Sequence, residues 1–163
     1  MAVSDSHWFR DGSNIMLFVK GTNGYESVAH ASSHTLSMSA ETEDVVSKDT
    51  GKFGLTEVNR INWEISVDSF YTDSGYSFFF EKMIAKEPFL VCFGLKAAAE
   101  IAGTPADVNV TADGNWTPNS SNVYYGQVII SNLDWTADAG SKSTFSCTLQ
   151  GQASLSTTAP SNG

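Results

Sequence analysis

Arg60-Ile-Asn-Trp-Glu-Ile-Ser-Val-Asp68 alternates polar and apolar residues without a slip. A period of two over nine residues cannot present one apolar side as a helix. It specifies an antiparallel strand with one face on a core and the other in water. Ile61, Trp63, Ile65 and Val67 are therefore expected in the core, with Arg60, Asn62, Glu64, Ser66 and Asp68 on the polar face. His34 to Ala40 alternates less strictly and places Leu36, Met38 and Ala40 on one side of a partner strand. Between the two runs, residues 41–57 are polar. They contain Gly51 and Gly54, and four of their first nine residues are acidic. This is more chain than a tight hairpin needs, so a long loop is expected here, one that acts or that orders on binding.

The rest of the chain supplies further strands and one helix. Asn14 to Lys20 and Phe89 to Leu95 are short apolar runs, expected as strands buried on both faces. Asn23-Gly24 marks a tight turn between the first run and weaker strand material from Tyr25 to Ser33. Tyr76, Phe79, Phe80, Met83 and Ile84 recur at helical spacing and predict a helix over about 74–86. Asp73 or Ser74 can cap it, and Pro88 prevents continuation. The stripe is expected to pack on a sheet, with Phe79, Phe80 and Met83 facing Trp63. Val123 to Trp135 predicts a long strand whose phase slips near Asn132, as a β-bulge would make it slip. Lys142 to Gly151 predicts a last strand with Phe145, Cys147 and Leu149 inward. Residues 104–122 read mostly as loop, residues 1–12 as an arm carrying Trp8 and Phe9, and residues 152–163 as a flexible tail. Residues 1–151 form one domain in this reading. The fold class is mainly β: an antiparallel sandwich or partly open barrel with one flanking helix.

Charge and motifs exclude more than they assign. The formal charge is −9, from 18 acidic and 9 basic residues, which argues against a nucleic-acid-binding surface. Residues 1–6 have neither a basic stretch nor an apolar core, so no secretory signal is expected, and no run is long enough to span a membrane. Cys92 and Cys147 are expected as buried free thiols. His30 and His34 are read as structural. Asp107 to Asp113 is a poor calcium loop, with Ala112 where the turn glycine belongs. Glu64 and Asp68 share a strand face and could act as an acid–base pair, but solvated strand carboxylates are far commoner. No phosphate loop, nucleophile elbow or metal spacing occurs, so neither an enzyme nor a cofactor is expected.

Ser39-Ala-Glu-Thr-Glu-Asp44, Ser47-Lys-Asp-Thr-Gly51, Asn62-Trp-Glu-Ile-Ser-Val-Asp68 and Tyr71 together resemble the major tail protein of long-tailed phages, the tail tube subunit. The resemblance runs from about Ile15 to Ile84. It implies a two-sheet sandwich with a flanking helix, and hexameric rings stacked into a hollow tube that passes DNA at ejection. It also implies a place in the virion tail, with assembly in the host cytoplasm alongside an initiator, a terminator and a tape measure protein. The C-terminal immunoglobulin-like domain of some members has no counterpart here. On this reading the 41–57 loop is the assembly element, mobile in the free subunit and ordered in the tube. Asp44, Val45, Val46, Lys48, Lys52, Phe53 and Leu55 are its subunit contacts, and Glu64 and Asp68 line the lumen. Two other readings compete: the tube protein of a contractile tail or secretion-type injection machine, and a carbohydrate-binding β-sandwich module using Trp8, Trp116 and Trp135.

Overall fold

A computed structural model describes residues 12, 15–22, 24–28, 31–46, 48, 51, 53–96 and 118–160. The arm with Trp8 and Phe9, His30, Lys52, residues 104–117 and Trp116 lie outside the described residues. Seven strands and one helix follow in the order β1 (Ile15–Gly21), β2 (Gly24–Ser27), β3 (Ala31–Val45), β4 (Leu55–Phe70), α1 (Asp73–Ala85), β5 (Phe89–Lys96), β6 (Pro118–Thr136) and β7 (Thr144–Gly151). The strands make one antiparallel sheet in the order β2-β1-β5-β6-β7-β4-β3. The sheet curls into a half-barrel, bringing His34 of β3 edge-on to Phe93 of β5 with ring centres 6.5 Å apart. This is the partly open barrel of the two expected forms; one continuous sheet stands where two layers were expected.

The alternation in β4 sets the core. Trp63, Ile65 and Val67 are buried, and the register places Leu149 and Cys147 of β7 opposite Ile65 and Val67. Leu17, Val19, Val91 and Val128 complete the concave face. The bulge inferred near Asn132 is present as a register shift between Ile130 and Asn132, and it keeps Leu133 in phase with Cys147. β1, β5 and β6 are apolar on their convex face too, where Phe18, Cys92 and Val123 pack with Tyr25 and Tyr125. Burial raises the Cys92 thiol to about 12, against a lowering hydrogen bond with Tyr125, and burial likewise raises the Cys147 thiol to about 12. Both cysteines are free and, as thiols, inert.

The helix is capped one residue earlier than expected. Thr72 has extended backbone, and its Oγ1 accepts from the Gly75 N–H at 3.2 Å. Lys86 closes the other end in the left-handed conformation. Only part of the apolar stripe is covered. Phe79 is buried against Phe145, flanked by Tyr76 and Phe78, whereas Phe80 is 49% and Met83 39% exposed. Phe80 lies about 100° round the helix from Phe79, and Met83 belongs to a last turn that is largely exposed from Glu81 onward. Neither is a core residue.

Trp63 is a core residue, but it does not meet the helix. It sits toward the other end of β4, its indole lying on the backbones of Gly126 and Gly151 and beside Leu155. Its Nε1 donates to the Ala153 carbonyl at 2.6 Å. Part of the expected tail is thus fixed. Leu155 packs on the core, and Ser156 pairs with Tyr125 through both backbone hydrogen bonds. A Cβ on Gly126 or Gly151 would overlap the indole ring. Trp63→Ala is expected to cost roughly 3–5 kcal/mol in urea unfolding, and Gly126→Val about 1–3 kcal/mol through overpacking. An unchanged midpoint for either would contradict this packing.

Candidate functional site

Both ends of the segment read as a loop, residues 41–45 and 55–57, are strand. β3 and β4 stay paired from Ser39↔Asn62 through Ala40↔Ile61 and Glu41↔Arg60 to Val45↔Leu55, with one bulge between Glu41 and Thr42. The chain forms a two-stranded ribbon, and only residues 46–54 connect its strands. β4 pairs with β7 no further up than Glu64↔Gln150, so beyond that point the ribbon has no strand neighbour on its β4 side among the described residues. Seven residue pairs at about 3.3 Å per residue make it roughly 23 Å long.

Its sequence explains how it pairs without a core. Side-chain hydrogen bonds cross the ribbon from Thr56 to Asp44, from Asn59 to Glu43 and from Asn62 to Glu41. Its apolar side chains are left in solvent. Met38, Val58 and Ile61 are each 59% exposed and continue the core face of β4 outward. Ile61 is therefore in phase with the core but not in it. At the tip, Val46 and Phe53 are 86% and 90% exposed, and Lys48 is exposed as well. Asp44, Val45 and Leu55 lie in the final pairs of the ribbon. A two-stranded ribbon without a packed face is marginal in water, so this one presents a surface in need of a partner.

The convex face of β3, β4, β7 and β6 is a polar sheet. The register forms three rows across these strands: Ser33, Asp68, Ser146 and Asp134; Thr35, Ser66, Thr148 and Asn132; Ser37, Glu64, Gln150 and Ile129. Small hydroxyls dominate, three carboxylates are spread among them, and no basic side chain occurs in the rows. Asn132 Nδ2 donates to Asp134 Oδ2 at 2.8 Å and holds that carboxylate in place. Asp134 is the member that reading the sequence missed. The phase slip at Asn132 was its signal, because the bulge sets its register against Ser146. Among the described residues no three His, Cys, Asp or Glu side chains are placed to hold a metal.

A second exposed apolar surface joins Trp135, read from the sequence as a surface residue, to Phe80, which helical spacing had assigned to the core. At the helix end of β4, Trp135 stacks flat on Tyr71 at 4.5 Å and contacts Tyr76 at 5.0 Å; Tyr76 reaches Phe80 at 6.3 Å. Trp135 Nε1 donates to Ser143 Oγ at 2.6 Å, which fixes the ring although the residue is 51% exposed.

His34 lies under the sheet opposite Val67, and its buried Nε2 has no hydrogen-bond partner. Burial lowers its pKa from the usual 6.5 to about 4, against the raising effect of the Asp68 carboxylate. The folded protein therefore prefers the neutral ring, while the unfolded chain takes up a proton below 6.5. The resulting stability is complete above pH 6.5 and is lost as pH falls from 6.5 through 4, by up to roughly 3 kcal/mol. His34→Leu should flatten this part of the stability–pH curve, as followed by urea unfolding between pH 4 and 7. Parallel curves for the two proteins would contradict it.

A family model described as phage tail tube protein matches residues 10–157. No curated protein matches significantly. Among solved structures, the fold is similar to the tail of an empty gene transfer agent particle refined with C6 symmetry. That similarity has a TM-score of 0.68 at 16% identity, covering 93% of this chain and 100% of the other. It is also similar to the SPP1 tail tube, with a TM-score of 0.62 at 8% identity, covering 88% and 76%. The anti-feeding prophage baseplate gives 0.57 at 11%, covering 94% and 95%. With the family model spanning the sheet, the helix and the ribbon alike, the chain belongs to the phage tail tube protein family.

Proposed function

We propose that this chain is the tube subunit of a long-tailed phage, assembling as hexameric rings stacked into a conduit for DNA ejection. The observation that carries the proposal is the ribbon, a paired but uncovered extension of the sheet ending in Val46 and Phe53. Its apolar stripe remains in water until another subunit covers it. The six-fold symmetry of the similar gene transfer agent tail supports a ring of six. β3, an edge strand of 15 residues, supports closure of that ring by strand pairing between neighbours, since an open edge of this length invites pairing. Other tail proteins would start and end the stack, and it would reside in the virion tail after assembly in the host cytoplasm.

The polar convex face then lines the lumen. Glu64, Asp68 and Asp134 repel a passing duplex, and the surrounding hydroxyls offer it no fixed counter-charge. No step of this function requires catalysis.

The assembly role rests on residues 44–55. Replacing Asp44 to Phe53 with a short Gly-Ser linker removes the outer ribbon and leaves every buried residue in place. The variant should keep its unfolding midpoint within about 0.5 kcal/mol, as surface changes do. By electron microscopy it should form no tubes under conditions where the parent does. Tubes like the parent's would show that assembly does not depend on the ribbon.

A further inference from the structure

The ribbon tip and the aromatic cluster lie at opposite ends of one strand. β4 begins two residues after Phe53 and ends immediately before Tyr71. Its 16 residues span roughly 50 Å. We infer that the aromatic cluster of Tyr71, Tyr76, Phe80 and Trp135 is the acceptor for the ribbon tip of the subunit in the next ring. This rests on the tube-subunit reading and names the surface that the ribbon engages.

Three observations converge on it. The cluster has the build of an interface anchor: Tyr71 and Tyr76 pack on the core and hold the half-exposed rings of Trp135 and Phe80, with the Trp135–Ser143 hydrogen bond fixing the indole. The tip offers matching apolar groups in Phe53 and Val46. The charges also complement. Within a chain of net charge −9, residues 46–54 carry two lysines against one aspartate. The cluster is bordered by the exposed carboxylates of Asp73 and Glu81, with Lys82 as the nearby base. A contact between two different surfaces, repeated by translation along the strand, does not close on itself and generates an open stack. A single tip covers less area than a stable pairwise complex needs. Six such contacts acting together between rings strengthen one another, so rings stack although free subunits pair weakly.

Site-directed cross-linking tests the acceptor. The native cysteines are buried and silent. Gly51 has open space around it, and Ser77 is exposed on the helix one turn before Phe80. Gly51→Cys and Ser77→Cys in one chain, treated with a short bismaleimide after assembly, should give a ladder of covalent multimers. Either substitution alone should not. Phe80→Asp, on an exposed position, should leave the melting temperature unchanged and abolish stacking. Tubes that form without the ladder, or that form normally with Phe80→Asp, would overturn the acceptor and leave the tube reading intact. If the parent forms neither rings nor tubes, the tube reading itself fails, and the acceptor with it.

Discussion

β4 loses its second neighbour at Glu64, and the organisation of the molecule follows from that point. Below it, β4 is a central strand, paired with β3 and β7, and its alternating side chains are buried on one side. Above it, the same strand and the same alternation continue with β3 alone. Trp63, at the junction, is the last side chain that the core can cover. It is covered by the backbones of Gly126 in β6 and Gly151 at the end of β7, and by the segment around Leu155. From Ile61 outward the alternation persists while burial stops.

The ribbon is therefore the core face of the sheet extended past its own protein. Its backbone is satisfied by cross-strand pairing, and its polar side is tied by Asn59 and Asn62 hydrogen bonds to Glu43 and Glu41. Its apolar side is unsatisfied. At the far end of β4 the helix leaves a complementary excess, because Phe79 takes the covered position and Phe80, Met83 and Trp135 remain exposed. Between these ends lies a polar convex face of hydroxyls and spaced carboxylates. One strand thus joins the surface that projects, the surface that could receive it, and the surface suited to a lumen.

The sequence made legible what depends on local phase. The face carrying Trp63, Ile65 and Val67, the bulge before Leu133 and the inward side of β7 all follow from periodicity, and the structure has them. What it left illegible depends on coverage. Alternation says that Ile61 shares a face with Trp63, but not that the sheet ends between them. Helical spacing groups Phe80 and Met83 with Phe79, but not where the helix sits on the sheet. The ribbon was read as a loop because residues 41–57 bury almost nothing. Its pairing is held by backbone and polar side-chain bonds, on which hydrophobic patterning is silent. The resemblance carried by Ser39 to Asp44 and Asn62 to Asp68 spans this same ribbon and correctly placed the family.

The central claim is that the ribbon is solvent-bathed in the free subunit and covered in the tube. Amide hydrogen exchange of residues 39–45 and 55–62 measures this directly, with Phe145 to Leu149 of β7 as the core reference. The account predicts ribbon amides that exchange orders of magnitude faster than β7 in the free subunit and slow toward the β7 rate on assembly. Ribbon amides already as protected as β7 in the free subunit, or unchanged by assembly, would contradict it.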